Sequence, residues 1–131
     1  MQSVTEYLVQ LVKNGWCSWY SSSHHVKDPE YATKLFIALY RYVKDQLAKA
    51  RGRVLAIRPR GVVKLAYGRV TPGYGVFVLR ILEKLLLIAG IQAEKHRKSR
   101  GTVVLVDRQD AHRLLKVMRE IAEKAGIKLE E

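Results

Sequence analysis

Three times this chain sets a glycine behind a helix-forming run and follows it with an apolar side chain: Asn14-Gly15-Trp16, Ala89-Gly90-Ile91 and Ala125-Gly126-Ile127. Glycine takes the left-handed conformation that closes a helix, and the next apolar residue packs back on the last turn. These stops predict the ends of three helices. The first runs from about Val4 to Lys13, with Ser3 and Glu6 in a capping-box spacing and Val4, Tyr7, Leu8 and Leu11 on one face. The last starts at Asp107 or Asp110 and reaches Ala125, with Ala111, Leu114, Leu115, Met118, Ile121, Ala122 and Ala125 as its stripe.

The remaining elements fall between these stops. After a loop from Gly15 to Lys27, Asp28 caps a second helix, with Pro29 at its first position and Glu30 at its positive end. Its apolar stripe is Leu35, Leu39, Tyr42, Val43 and Leu47, and it is expected to end near Gly52. Arg53 to Ile57 reads as a brief strand. Pro59 opens a short helix, Arg60 to Tyr67, and Tyr67-Gly68-Arg69-Val70 turns the chain. Thr71-Pro72 repeats the cap-plus-proline start, so the next helix spans Pro72 to Ala89. Ile91 to Lys95 and Thr102 to Val106 read as strands joined by the polar turn His96-Arg97-Lys98-Ser99-Arg100-Gly101, a hairpin with a cationic tip.

With 131 residues, 48% of them hydrophobic, the chain suits one folded domain. Cys17 is the single cysteine, so no intrachain disulfide forms, which fits a reducing, cytoplasmic setting. Residues 1–13 lack a signal-peptide pattern, and the most apolar segment, Val76 to Ala89, is broken by Arg80, Glu83 and Lys84, so no membrane span is expected. One asparagine, Asn14, among many charged residues suggests a thermophile.

Charge is distributed unevenly. Residues 1–50 carry six Lys/Arg and four Asp/Glu, and residues 102–131 carry six of each. Residues 51–101 carry twelve basic and two acidic side chains, so most of the net +12 sits there. Ion-pair networks need both signs, and this segment has almost no acids to pair. Concentrated positive charge attracts a polyanion and supplies phosphate contacts. Nucleic acid is therefore the expected partner, and the region 51–101 the expected surface.

From Tyr31 onward the order is helix, strand, helix, turn, helix, strand, basic turn, strand, helix. With the stretch Leu82-Glu83-Lys84-Leu85-Leu86-Leu87-Ile88-Ala89-Gly90-Ile91 ahead of the hairpin, the sequence resembles the winged helix-turn-helix superfamily over roughly residues 30–107. The resemblance implies an α+β, mainly helical fold: a winged helix-turn-helix core with added N- and C-terminal helices, about 3–14 and 108–126. In that superfamily the third helix enters a DNA major groove and the wing touches backbone or minor groove. A fainter likeness is to the winged-helix protein family of the archaeal and eukaryotic small ribosomal subunit. It rests on Lys13-Asn14-Gly15, the Trp-containing loop, the Asp28-Pro29 helix start, Tyr67-Gly68 and Arg80-Ile81-Leu82-Glu83-Lys84-Leu85. The chain lacks that family's longer Arg-rich segment around the glycine turn. This second likeness points to RNA.

The expected contacts follow. His96, Arg97, Lys98 and Arg100 crowd positive charge onto the wing, and Arg51, Arg53, Arg58, Arg60, Lys64 and Arg69 surround the short helix as phosphate contacts. On the third helix, Val76 to Ile88 is so apolar that only a narrow stripe remains: Arg80, Glu83 and Lys84, with Tyr74 near its start. Glu83 there repels phosphate unless it faces cytosine or an arginine. Backbone or shape recognition is expected rather than strong sequence preference. Trp16, Trp19 and Tyr20 either stack on bases or cover the core beside the first helix. Cys17, His24 and His25 lack zinc-ligand spacing, and Gly68, Gly73 and Gly75 match no phosphate-loop pattern, so no metal or cofactor is expected. No catalytic carboxylate pair or Ser/His/Asp set argues for an enzyme. The leading expectation is a DNA-binding transcription regulator or chromatin-like protein, with the terminal helices as candidates for a homodimer contact. A structural RNA-binding, ribosome-associated protein and a protein–protein module remain alternatives.

Overall fold

The computed structural model describes Glu6, Leu8 to Gln10, Val12, and residues 30–70, 73–98 (Lys98 by its backbone) and 101–129. Its elements are α1 (Tyr31–Lys49), β1 (Val54–Ile57), α2 (Pro59–Tyr67), α3 (Tyr74–Ala89), β2 (Glu94–Lys98), β3 (Gly101–Asp107) and α4 (Arg108–Ala125). Glu6, Leu8 to Gln10 and Val12, ahead of α1, are helical as well. The fold is α+β and mostly helical, with one small antiparallel sheet. The helix starts expected at Asp28-Pro29 and Thr71-Pro72, the Gly15 stop, and Trp16, Cys17, Trp19, Tyr20, His24 and His25 lie outside the described residues.

Two of the glycine stops close helices as expected. At the end of α3, Gly90 takes φ 69° and the Ile91 N–H donates to the Leu86 carbonyl at 2.9 Å. At the end of α4, Gly126 takes φ 72° and the Ile127 N–H donates to Ala122 at 2.8 Å. Asp107 starts α4 by accepting from the Gln109 N–H at 2.9 Å. Pro59 is the first residue of α2, and Gly68, at φ 78°, ends it.

Helix α1 stops at Lys49 rather than near Gly52, because Ala50 turns extended (φ −73°, ψ 136°). Arg108 meets the carbonyls this releases: its guanidinium donates to Leu47 at 2.9 Å, to Gly52 at 3.1 Å and to Ala50. The Arg108 N–H also donates to the Arg53 carbonyl at 2.7 Å. The start of α4 is thus stitched to the link between α1 and β1.

The sheet order is β1-β3-β2. Val54 pairs with Asp107 and Ile57 with Val104; Glu94 pairs with Leu105 and Lys98 with Gly101. Strand β2 therefore begins three residues later than Ile91. Ile91 spends its N–H on closing α3 and buries its side chain, 8% exposed, so it cannot also start a strand. His96, Arg97 and Lys98 are consequently strand residues, not turn residues, and only Ser99 and Arg100 separate the strands.

Leu55, Ile57, Val104 and Val106 form the inner face of the sheet and join the helices in one apolar cluster. The stripe of α4 lies in the same cluster: Ala111, Leu114, Leu115, Met118, Ile121 and Ala122 pack with α1 and α3. Each large aliphatic buried this way contributes about 1.5–3 kcal/mol. The apolar surface that made α4 a candidate dimer contact is occupied within the chain. Leu8 and Val12 are also fully buried, and the Thr33 hydroxyl donates to the Val12 carbonyl at 2.7 Å. Among the described residues, no helix is long and apolar enough to cross a membrane.

Candidate nucleic-acid interface

The outer face of α3 differs from the expected stripe at both ends. Val76, Arg80, Lys84 and Leu87 follow one another at four, four and three residues, so they line one side of the helix. All four are exposed, Leu87 by 65%. Tyr74 points the other way. It is 4% exposed, stacked against Tyr31 with ring centroids 5.7 Å apart and against Tyr67 at 4.9 Å. Its expected place in a binding stripe is corrected: it belongs to an aromatic cluster that also holds Phe77, edge-on to Tyr31 at 5.1 Å. An aromatic ring gains more by desolvating against other rings than by standing in water.

Glu83 pairs with a lysine rather than with an arginine. Its Oε2 accepts from Lys95 Nζ at 3.0 Å, which couples the middle of α3 to β2. Side chains alternate along a strand, so Arg97 shares the α3-facing side of β2 with Lys95. On the opposite side, His96 Nε2 lies 3.2 Å from Glu94 Oε2.

The start of α2 reaches the same region. Arg58 is extended and exposed ahead of the helix. The Arg60 chain lies over Gly101, where a Cβ would fall 2.8 Å from its Cδ. Gly101 holds φ 115°, and both facts require glycine there. Exposed cations thus stand on α2 (Arg58, Arg60), α3 (Arg80, Lys84) and β2 (Arg97), and these elements are tied by the Arg60–Gly101 contact and the Glu83–Lys95 pair. Lys64 and Arg69 are exposed on the later part of α2 and the following turn. The side chains of Arg58, Lys64, Arg69, Arg80 and Arg97 have no partner among the described residues. Lys98 ends β2 beside them, and Arg100 lies outside the described residues.

Arg51 and Arg53 do not surround the short helix as expected. They precede β1 at the end where Val54 pairs with Asp107, whereas Arg60 sits by Gly101. Gly101 and Asp107 lie six steps apart along β3, about 20 Å at strand rise. Together with Gly52, Asp107, Arg108 and Gln109 the two arginines line an open cleft of about 330 Å3.

No protein-family model matches the chain, and comparison with curated proteins and with solved structures returns no match. The site is therefore read from its own residues. Among these, sequence reasoning missed Lys95 and Arg108. Lys95 was legible as a cation but not as the partner of Glu83, because the pairing depends on where β2 starts. Arg108 carried no signal, since its role is set by carbonyls released more than fifty residues earlier. Among the described residues, no cluster of three or more His, Cys, Asp or Glu is placed to hold a metal.

Proposed function

We propose that this chain is a duplex-DNA-binding protein of winged helix-turn-helix type, acting as a transcription regulator or chromatin-like protein. The element order from α1 to β3, with β1 paired to β3 rather than to β2, supports the winged-helix reading. The observation that carries the binding reading is the set of exposed cations on α2, α3 and β2, elements tied together by the Arg60–Gly101 contact and the Glu83–Lys95 pair, with Arg58, Arg80 and Arg97 lacking acidic partners among the described residues. Such an arrangement repels itself in isolation and is relieved by phosphate.

DNA is preferred to RNA on the shape of the exposed element. A helix with its side chains is about 10–12 Å across and fits the ~12 Å major groove of B-DNA. The major groove of A-form RNA is too deep and narrow for side chains to read. Val76 and Leu87 on the outer stripe suit apolar contact with thymine methyls, while Arg80 suits guanine.

The test is a comparison of affinity for duplex DNA, single-stranded DNA and structured RNA over a salt series. The expected result is tightest binding to duplex DNA. Tightest binding to structured RNA would replace this reading with the ribosome-associated one. No binding to any of the three at low salt would remove nucleic acid altogether.

A further inference from the structure

The cleft at the far end of the sheet is not an extension of the interface just described. Beyond the His96–Val103 row, where His96 sits beside Glu94, the next two cross-strand rows on the outer face of the sheet hold no Lys or Arg. One row is Ala56, Leu105 and Glu94, and the next pairs Val54 with Asp107. Glu94 is 75% exposed at its side chain, and Val54 is 53% exposed. A polyanion running across this waist would meet carboxylates and aliphatic surface rather than cations. Beyond it, Arg51 and Arg53 stand exposed on either side of Gly52, and their guanidinium groups have no partner among the described residues.

From this separation we infer that the chain holds two DNA segments at once. The first lies against α3 and the wing, and the backbone phosphates of a second duplex lie in the Arg51–Arg53 cleft. The proposal rests on the duplex-binding reading above. At the cleft, Arg108 is committed to the carbonyls of Leu47, Ala50 and Gly52, and Asp107 caps the first turn of α4. The free guanidinium groups of Arg51 and Arg53 are therefore the anion donors, and Gln109, exposed at the cleft wall, offers a further hydrogen bond. These contacts address phosphate and carry no base information. The second segment is held without sequence preference and is released as salt rises.

The test uses the full chain and two 20-base-pair duplexes, one fixed to beads and one fluorescent, with retention of the fluorescent duplex as the readout. Two variants address the cleft. Arg51→Ala/Arg53→Ala removes its donors. Gly52→Asp inserts a carboxylate where a Cβ meets nothing within 4 Å, so the fold is not disturbed. The wild-type chain is expected to retain the fluorescent duplex. Both variants are expected to lose retention while binding a single duplex within about twofold of wild type, since sites ~20 Å apart act independently. Retention that survives in the variants would overturn the proposal, as would a wild-type chain that binds duplex but retains none. A large loss of single-duplex affinity in the variants would also overturn it, by making the cleft part of the first interface. Failure of the duplex-binding reading itself is seen separately, as wild-type protein that binds no single duplex.

Discussion

The Arg60 side chain lies across Gly101, close enough that a Cβ on the glycine would sit 2.8 Å from the Arg60 Cδ. This contact joins the start of α2 to the tip end of the hairpin, where Gly101 pairs with Lys98. Gly101→Ala should therefore act twice. The φ of 115° disfavours an L side chain, at a cost of about 1–3 kcal/mol, and the new methyl displaces Arg60 from the hairpin tip. Urea unfolding and duplex binding measured on the same variant should both weaken. A variant as stable as wild type would show that the strand tolerates a side chain there and that the contact is incidental.

Arg108 gives a stability prediction of a different kind. Its guanidinium gathers three carbonyls at the end of α1, a part-buried position where water replaces it poorly. Arg108→Ala is expected to cost about 2 kcal/mol, on the scale of hydrogen bonds to a charged group. Arg108→Lys keeps the charge but not the planar fork, so it should recover only part of the loss. Full recovery by lysine, in thermal or urea unfolding, would mean that charge alone matters.

Tyr74 separates core from contact. Tyr74→Ala removes a ring stacked between Tyr31 and Tyr67, and should destabilise by about 3–5 kcal/mol. Tyr74→Phe retains the ring and should leave duplex affinity unchanged. A selective loss of affinity in the phenylalanine variant would return the hydroxyl to the binding surface.

Much of the fold was legible in short-range chemistry. Gly90-Ile91 and Gly126-Ile127 end their helices because the signal is local, and Pro59 and Asp107 start theirs for the same reason. What failed depended on distant partners. Strand β2 was placed early because Ile91 looks like a strand residue until its N–H is committed to Leu86. Tyr74 looked exposed because its neighbours Tyr31 and Tyr67 are brought to it only by the packing of α1 and α2 on α3. The binding surface was expected as one region from Arg51 to Gly101. Contiguity in sequence hid the fact that β1 separates its two ends in space, which the Val54–Asp107 pairing makes plain.

The Glu83–Lys95 pair tests how α3 meets its ligand. Both side chains are substantially exposed, so Glu83→Gln should change stability by less than about 1 kcal/mol. It frees Lys95 and removes a negative charge beside Arg80, so affinity for duplex DNA should rise, most of all at low salt. A drop in affinity for cytosine-containing sites would instead mean that Glu83 reads a base.

The most direct test of the central claim is the salt dependence of duplex-DNA binding by the wild-type chain and by Arg58→Ala/Arg97→Ala. About four phosphate contacts at the α3 and wing end would give a slope of log affinity against log salt near −3.6. Removing two of them should weaken binding and make the slope shallower by about two. A double variant that keeps wild-type affinity and an unchanged slope would contradict the account, because the cations gathered around α3 would then not be meeting phosphate.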